Sequence, residues 1–293
     1  MMSAPIAPEP EKPTAANLRR PLLRWHGGKW RIAPWIIAHL PQHRTYVEPF
    51  GGAASVLLRK PRSYCEVYND LDGGVVALFR LLRSDRAGEL VRAVERTPFA
   101  RDEFELAWLV SDDPVEQARR LIVRSFMSHP TDGCTRARRT GFRCAGDRCG
   151  THPAGQWAGY PRVLVAVAQR LQGVVIEHRD AMAVCRRYDA PRTLHYLDPP
   201  YLPETRSLLG HGEYRHEMTA GDHAALLDAA LQLRGAVVIS GYPSRLYDDA
   251  LAGWRREQRA SLADRALPRT EVLWISPRTA AGLGGQLWLE EAA

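Results

Sequence analysis

Six short, near-continuous apolar runs recur along the chain, at Thr45–Glu48, Cys65–Tyr68, Val174–Glu177, Leu194–Leu197, Ala236–Ile239 and Glu271–Ile275. Runs of this kind suit strands covered on both faces, and helical patterns such as Ala224–Leu233 lie between several of them. The alternation predicts an α/β fold with a mostly parallel sheet and helices on both sides. Trp254–Leu262 and Gln286–Glu290 are expected to add one strand each near the C-terminal edge. With 293 residues, the chain fits one large domain or one domain carrying an insertion.

The alternation stops between about Leu81 and Tyr160. Helical patterns near Glu89–Glu95 and Val115–Phe126 give way there to a stretch rich in Arg, Gly, Cys and Thr. Residues 119 to 148 hold eight arginines against two acids, which is most of the net charge of +7. A basic run usually marks a solvated face, but this one interrupts an α/β domain and has Phe126, Phe142 and Trp157 close by. Contact with nucleic acid is the stronger reading, with Arg124, Arg136, Arg138, Arg139 and Arg143 as the candidate DNA-binding residues. The domain expectation is therefore a tail at 1–17, an α/β domain at 18–80 and 161–293, and an inserted nucleic-acid-binding segment at 81–160, which the resemblance described below implies are the catalytic domain and its target-recognition insertion.

Composition excludes several other classes. The first 17 residues are Pro- and Ala-rich without periodicity, which fits a disordered tail, and no apolar run has the length of a membrane span. No secretory signal is visible, so a cytoplasmic protein is expected. The five cysteines are odd in number and form no C-x-x-C pair, which argues for reduced thiols. His129, Cys134, Cys144, Cys149 and His152 lack the usual zinc-ligand spacing, and no metal is expected.

Three motifs carry chemistry. Strand Thr45–Glu48 runs into Pro49-Phe50-Gly51-Gly52-Ala53-Ala54-Ser55, where small residues let a backbone approach a ligand, and Asp70 ends the next strand 22 residues beyond Glu48. An acid at that distance suits ribose hydroxyls, although a helix N-cap role for Asp70 fits equally well. The missing second G-x-x-G argues against a pyrophosphate and for a nucleoside without phosphates. Upstream lies a Gly-Gly turn flanked by aromatics and a lysine, Trp25-His26-Gly27-Gly28-Lys29-Trp30.

The third motif, Asp198-Pro199-Pro200-Tyr201, follows the run ending at Leu197. Two prolines stiffen the loop, a carboxylate can accept an N–H from an aromatic amine, and Tyr201 offers a flat face for an extruded base. That combination suits methyl transfer to an exocyclic amine, whose lone pair must be drawn out of conjugation before it can attack.

Taken together and in order, Trp25–Lys29, Tyr46–Gly52, Tyr68-Asn69-Asp70 and Asp198–Tyr201 resemble the Dam-type DNA adenine-N6 methyltransferases. The resemblance covers most of residues 20 to 290. It implies a Rossmann-like S-adenosylmethionine-dependent methyltransferase sheet with an inserted, mainly helical, basic target-recognition segment, acting on double-stranded DNA.

Carried over by position, Trp25 and Lys29 would sit at the methionine end of S-adenosylmethionine, Glu48, Phe50 and Gly52 would line it, and Asp70 would hold its ribose. Asp198, Pro199 and Tyr201 would hold the target adenine, with Asp198 next to the cofactor as well. Ala54 stands where the family usually has a second glycine, and its Asn-Arg recognition signature is replaced by Arg124-Ser125-Phe126-Met127-Ser128. Alternatives of other kinds are an RNA or cytosine-N4 methyltransferase, which use related loops, and a non-catalytic DNA-binding protein on the same fold.

Overall fold

A computed structural model describes residues 18–129, 141–143, 152–205, 215–262 and 268–290, with no account of the side chains of 262, 268 and 284–290. Nine strands are present among them: β1 (Thr45–Glu48), β2 (Cys65–Asn69), β3 (Ser128–His129), β4 (Gly141–Phe142), β5 (Val174–Glu177), β6 (Thr193–Leu197), β7 (Ala236–Gly241), β8 (Arg255–Leu262) and β9 (Pro268–Ile275). Seven of them form one sheet in the order β5-β2-β1-β6-β7-β9-β8. The first five are parallel, whereas β9 runs antiparallel to both β7 and β8.

β1 lies at the point where the strand order reverses. It pairs with β2 on one side and β6 on the other, so that Val47 faces Val67 and His195. Open α/β sheets bind ligands beyond the carboxyl ends of strands at such a point. Every residue of β6 and β7 is buried, as the near-continuous apolar runs require.

The six expected strands are all present, and so is the one expected at Trp254–Leu262, as β8. The strand expected at Gln286–Glu290 is instead the end of a helix, Pro277–Glu290. Its start explains the difference. The Ser276 hydroxyl accepts the Thr279 N–H at 3.4 Å and pairs with the Thr279 hydroxyl at 2.8 Å, and Pro277 follows at the first helical position.

Between β2 and β5 the chain forms helices Gly73–Leu82, Ala87–Glu95, Arg101–Leu106 and Pro114–Met127, the small β3–β4 hairpin, and helices Pro153–Ala158 and Pro161–Arg170. Helix Pro114–Met127 packs against the three helices before it. One buried apolar cluster runs from Leu57 and Phe79 through Leu90, Ile122 and Phe126 to Leu164, so the insertion shares its core with one face of the sheet.

Phe126 and Trp157, expected near DNA, are buried in that core, with ring centroids 5.2 Å apart. Phe142 of β4 packs 5.2 Å from Phe99 and 5.7 Å from Phe104, which pins the base of the hairpin to the helices. These aromatics gain more by apolar burial than a solvent-facing platform could supply.

Behind the sheet, Glu66 of β2 holds two buried cations together. Its carboxylate lies 2.7 Å from the Lys60 ammonium and 2.7 Å from the Arg170 guanidinium, which also donates to the Leu57 carbonyl at 2.5 Å. Burial pushes the Glu66 carboxyl up, but the Arg170 and Lys60 bonds and charges outweigh it and leave its pKa below the usual value. Its contribution is therefore present above the ordinary glutamate range and lost as pH falls through the depressed value.

Removing one partner of a buried network strands the others. Glu66→Ala should cost about 3–5 kcal/mol in chemical denaturation at neutral pH. A loss below about 1 kcal/mol would show that Lys60 and Arg170 find water instead.

Candidate active site

The loops beyond the carboxyl ends of β1, β2, β5 and β6 enclose a cavity of about 620 Å³. Its walls carry Trp25 and Lys29 from the N-terminal turn, Glu48 to Ala53 after β1, Asp70 after β2, Asp180 to Met182 after β5, and Asp198 to Pro200 after β6. Arg215 to Met218 close another side.

The β1 loop is held by its own backbone. Gly52 sits at φ +47, and a Cβ there would come within 2.6 Å of the Trp25 indole nitrogen, while a Cβ on Gly51 would meet the Tyr68 ring at 2.2 Å. Ala54 occupies the left-handed region at φ 54 as the N-cap of helix Ser55–Arg59, and it is fully buried. That conformation costs a residue with a Cβ roughly 1 kcal/mol or more, which glycine would avoid.

Asp70 links the two strand ends. One carboxylate oxygen accepts the Gly52 N–H at 2.7 Å and the other accepts the Asp72 N–H at 2.7 Å. The N-cap of helix Gly73–Leu82 is Asp72, whose carboxylate accepts the Gly74 N–H at 2.8 Å. Asp70 is thus not the cap, and it faces the cavity with its pKa raised by burial.

Glu48 is buried, and one of its oxygens accepts both the Tyr46 hydroxyl at 2.7 Å and the Leu57 N–H at 2.9 Å. Burial, helped by the nearby Asp198 charge, pushes its carboxyl up to about 8 against the opposing effect of the Tyr46 bond.

At the other end of the cavity, the Asp198 Oδ1 takes the Lys29 ammonium at 2.9 Å and the Ser240 hydroxyl at 2.8 Å. Among the described residues its Oδ2 has no hydrogen bond, so this cavity-lining residue keeps an acceptor to spare. Lys29 also donates to the Gly27 carbonyl at 2.7 Å. Burial lowers the pKa of this ammonium, but the charges of Asp198 and Glu271 outweigh burial and raise it, so the cation persists at neutral pH.

The structure brings Trp25, Lys29, Glu48, Phe50, Gly52, Asp70, Asp198 and Pro199 around one cavity. Tyr201 turns away from it. The ring is 6 % exposed, Lys29 Nζ lies 4.6 Å from its centroid, Tyr242 packs edge-on at 4.5 Å, and its hydroxyl donates to Glu271 at 2.8 Å. It is not an open platform for a base in this arrangement.

Arg124 is likewise not at the surface. It is buried in helix Pro114–Met127, donates to the Ala107 carbonyl and lies 5.8 Å from the centroid of the Trp108 ring, so its charge serves the insertion's own packing. The Arg143 backbone N–H binds the Met127 carbonyl at 2.7 Å, and its guanidinium lies 5.8 Å from the centroid of the Phe126 ring. Arg136, Arg138 and Arg139 fall outside the described residues, as do Cys134, Cys144 and Cys149. Among the described residues no three His, Cys, Asp or Glu side chains cluster as a metal site, and no helix is long and apolar enough to cross a membrane.

Sequence reasoning missed Ser240, Glu271, the Asp180–Met182 turn and Arg215–Met218. The first two had a faint signal, because a serine ends the apolar run of β7 and an acid opens that of β9.

Charge decides what the cavity suits. Seven acids line it (Glu48, Asp70, Asp72, Asp180, Asp198, Glu217 and Asp222) against Lys29, Arg186 and Arg215, and acids still outnumber cations two to one without Glu48, whose raised carboxyl is largely protonated at neutral pH, in a chain whose net charge is +7. Such a wall repels phosphates and favours a nucleoside with hydroxyls or a positive centre. The residues present therefore fit S-adenosylmethionine, which pairs a ribose with a sulfonium.

Comparison with known proteins agrees. Residues 25–112 match the family described as D12 class N6 adenine-specific DNA methyltransferase. The chain is 27% identical over 248 residues to a DNA adenine methylase of Serratia marcescens, covering 78% of this chain and 86% of that protein. It is also 25% identical over 228 residues to the Type II methyltransferase M.MjaIII of Methanocaldococcus jannaschii, covering 67% of this chain and 74% of that one. A DNA adenine methylase of Escherichia coli matches at 35% over 74 residues, a quarter of each chain. Asp198 lies beyond the stretch that the family description covers, so its assignment rests on the geometry above.

Glu48 generates a prediction of its own. A carboxyl raised from 4.5 to about 8 ionises first in the unfolded chain, so stability should fall as pH rises across that interval. Glu48→Gln should flatten the decline in melting temperature between those limits. An unchanged slope would mean that Glu48 is ionised in the folded protein.

Proposed function

We propose that this protein transfers a methyl group from S-adenosylmethionine to the N6 amine of adenine in double-stranded DNA. The observation that carries this reading is Asp198. It lines the cavity at the carboxyl end of β6, followed by two prolines, with Oδ1 fixed by Lys29 and Ser240 and Oδ2 without a hydrogen bond among the described residues.

When bound, the donor supplies a methyl carbon whose bond to sulfur breaks, with the electron pair going to sulfur, as the bond to nitrogen forms. The chain's own residues prepare the amine. Asp198 accepts an N–H from it, which pulls nitrogen toward tetrahedral geometry and localises the lone pair, and the proton released leaves through this carboxylate to water. Lys29 and Ser240 hold the carboxylate in place, so little reorganisation accompanies the reaction. Gly51 and Gly52 give the donor close backbone contact, Asp70 accepts from its ribose hydroxyls, and Trp25 and Glu48 border its other end.

Adenine must leave the helix to reach this site, at a cost of a few kcal/mol that contacts elsewhere on the duplex offset. We assign those contacts to the basic insertion, through Arg136, Arg138, Arg139 and Arg143, on the strength of the charge concentrated between residues 119 and 148. Tyr201 is assigned to holding the loop rather than to stacking on the base, its ring packed between Lys29 and Tyr242 and its hydroxyl on Glu271.

Asp198→Ala should lower kcat by on the order of a hundredfold or more, because a positioned electrostatic group acts mainly in the transition state. Thermal melting of the variant checks that the fold survives. Near-normal turnover by a folded Asp198→Ala protein, measured with labelled methyl donor on unmethylated DNA, would contradict the mechanism.

A further inference from the structure

Behind the Asp198 loop, a second carboxylate lies close enough to the same lysine for their charges to act on each other. Glu271 opens the apolar run of β9 and is 8 % exposed. Its carboxylate accepts the Tyr201 hydroxyl at 2.8 Å, the Tyr201 ring packs 4.6 Å from Lys29 Nζ, and Lys29 reaches Asp198 at 2.9 Å. The antiparallel pairing of β9 with β7, which sets Leu273 beside Ser240 and Val272 beside Gly241, delivers the acid to this place.

Packing alone gives no reason for an acid here, because leucine beside phenylalanine would fill similar space without a desolvation penalty. Charge gives one. Were Lys29 to face Asp198 alone, the pair would be neutral and the carboxylate a weaker acceptor. With Glu271 ionised, two carboxylates face one ammonium.

We propose that Glu271 is a positioning residue for methyl transfer, fixing Tyr201 through its hydroxyl and sharing the Lys29 charge with Asp198, so that Asp198 keeps its capacity to accept the target amine. This rests on the methyl-transfer reading above and deepens it.

The groups around Glu271 are Lys29 from the N-terminal turn, Asp198 and Tyr201 from the loop after β6, Tyr196 on β6 and, opposite on β8, the exposed Arg259. Burial raises the Glu271 carboxyl, Lys29 and the Tyr201 bond oppose that, and Asp198 adds to it. The net rise means that ionisation of Glu271 falls away early as pH drops, so its loss should shape the acidic side of the rate profile.

The test compares wild type, Glu271→Gln and Glu271→Leu on unmethylated DNA. The readouts are kcat, the pH–rate profile, calorimetric affinity for S-adenosylmethionine, and thermal melting. Glutamine still accepts the Tyr201 hydroxyl, so this variant should melt like wild type and bind the donor within about threefold, while kcat falls about tenfold or more and the acidic limb moves to lower pH. Leucine removes the hydrogen bond as well and should lower kcat further. Wild-type kcat with an unmoved acidic limb in Glu271→Gln would overturn the proposal. So would equal losses in melting, donor affinity and rate, which would make the role purely structural. A wild-type protein that methylates no DNA is a separate outcome, visible in the control, and overturns the functional reading together with this one.

Discussion

Parallel pairing of β1 with β2 on one edge and β6 on the other puts three acids at the same end of the sheet. Glu48 ends β1, Asp70 follows β2, and Asp198 follows β6, so the reversal of strand order creates the crevice and stocks it in one move. The loops then lock to one another. Asp70 grips the Gly52 backbone and Lys29 grips Asp198, which ties the N-terminal turn and both neighbouring strand ends into one wall.

The charge pattern has two scales. Across the chain, arginine dominates and favours a polyanion, whereas the cavity is lined by acids that would repel phosphate. A DNA methyltransferase needs both, because the duplex must be held while a cationic donor is bound nearby without competition from the backbone. Lys29 reconciles them locally. It is buried among carboxylates that keep it protonated, and it spends its charge on orienting Asp198 rather than on attracting phosphate.

Much of this was legible in the sequence, for a physical reason. Parallel strands buried on both faces read as apolar runs, and cavity residues follow them directly, so Glu48, Asp70 and Asp198 announced themselves by position. Ser240 and Glu271 did not, because Ser240 reaches Asp198 through the parallel pairing of β7 with β6 and Glu271 arrives through β9 running antiparallel beside β7, pairings that periodicity does not encode. Arg124, Phe126 and Trp157 looked like parts of a nucleic-acid surface by type, but the helical insertion consumes them in its own packing. The C-terminal segment was misread because its helix start rests on the Ser276–Thr279 pairing rather than on apolar spacing.

The most direct test of the central claim is to incubate purified protein with unmethylated duplex DNA and S-adenosylmethionine, digest the product to nucleosides and identify the modified base by mass spectrometry. The expected product is N6-methyladenine, absent when the donor is omitted. Recovery of N4-methylcytosine instead, or of unmodified DNA alongside methylated RNA under the same conditions, would contradict it.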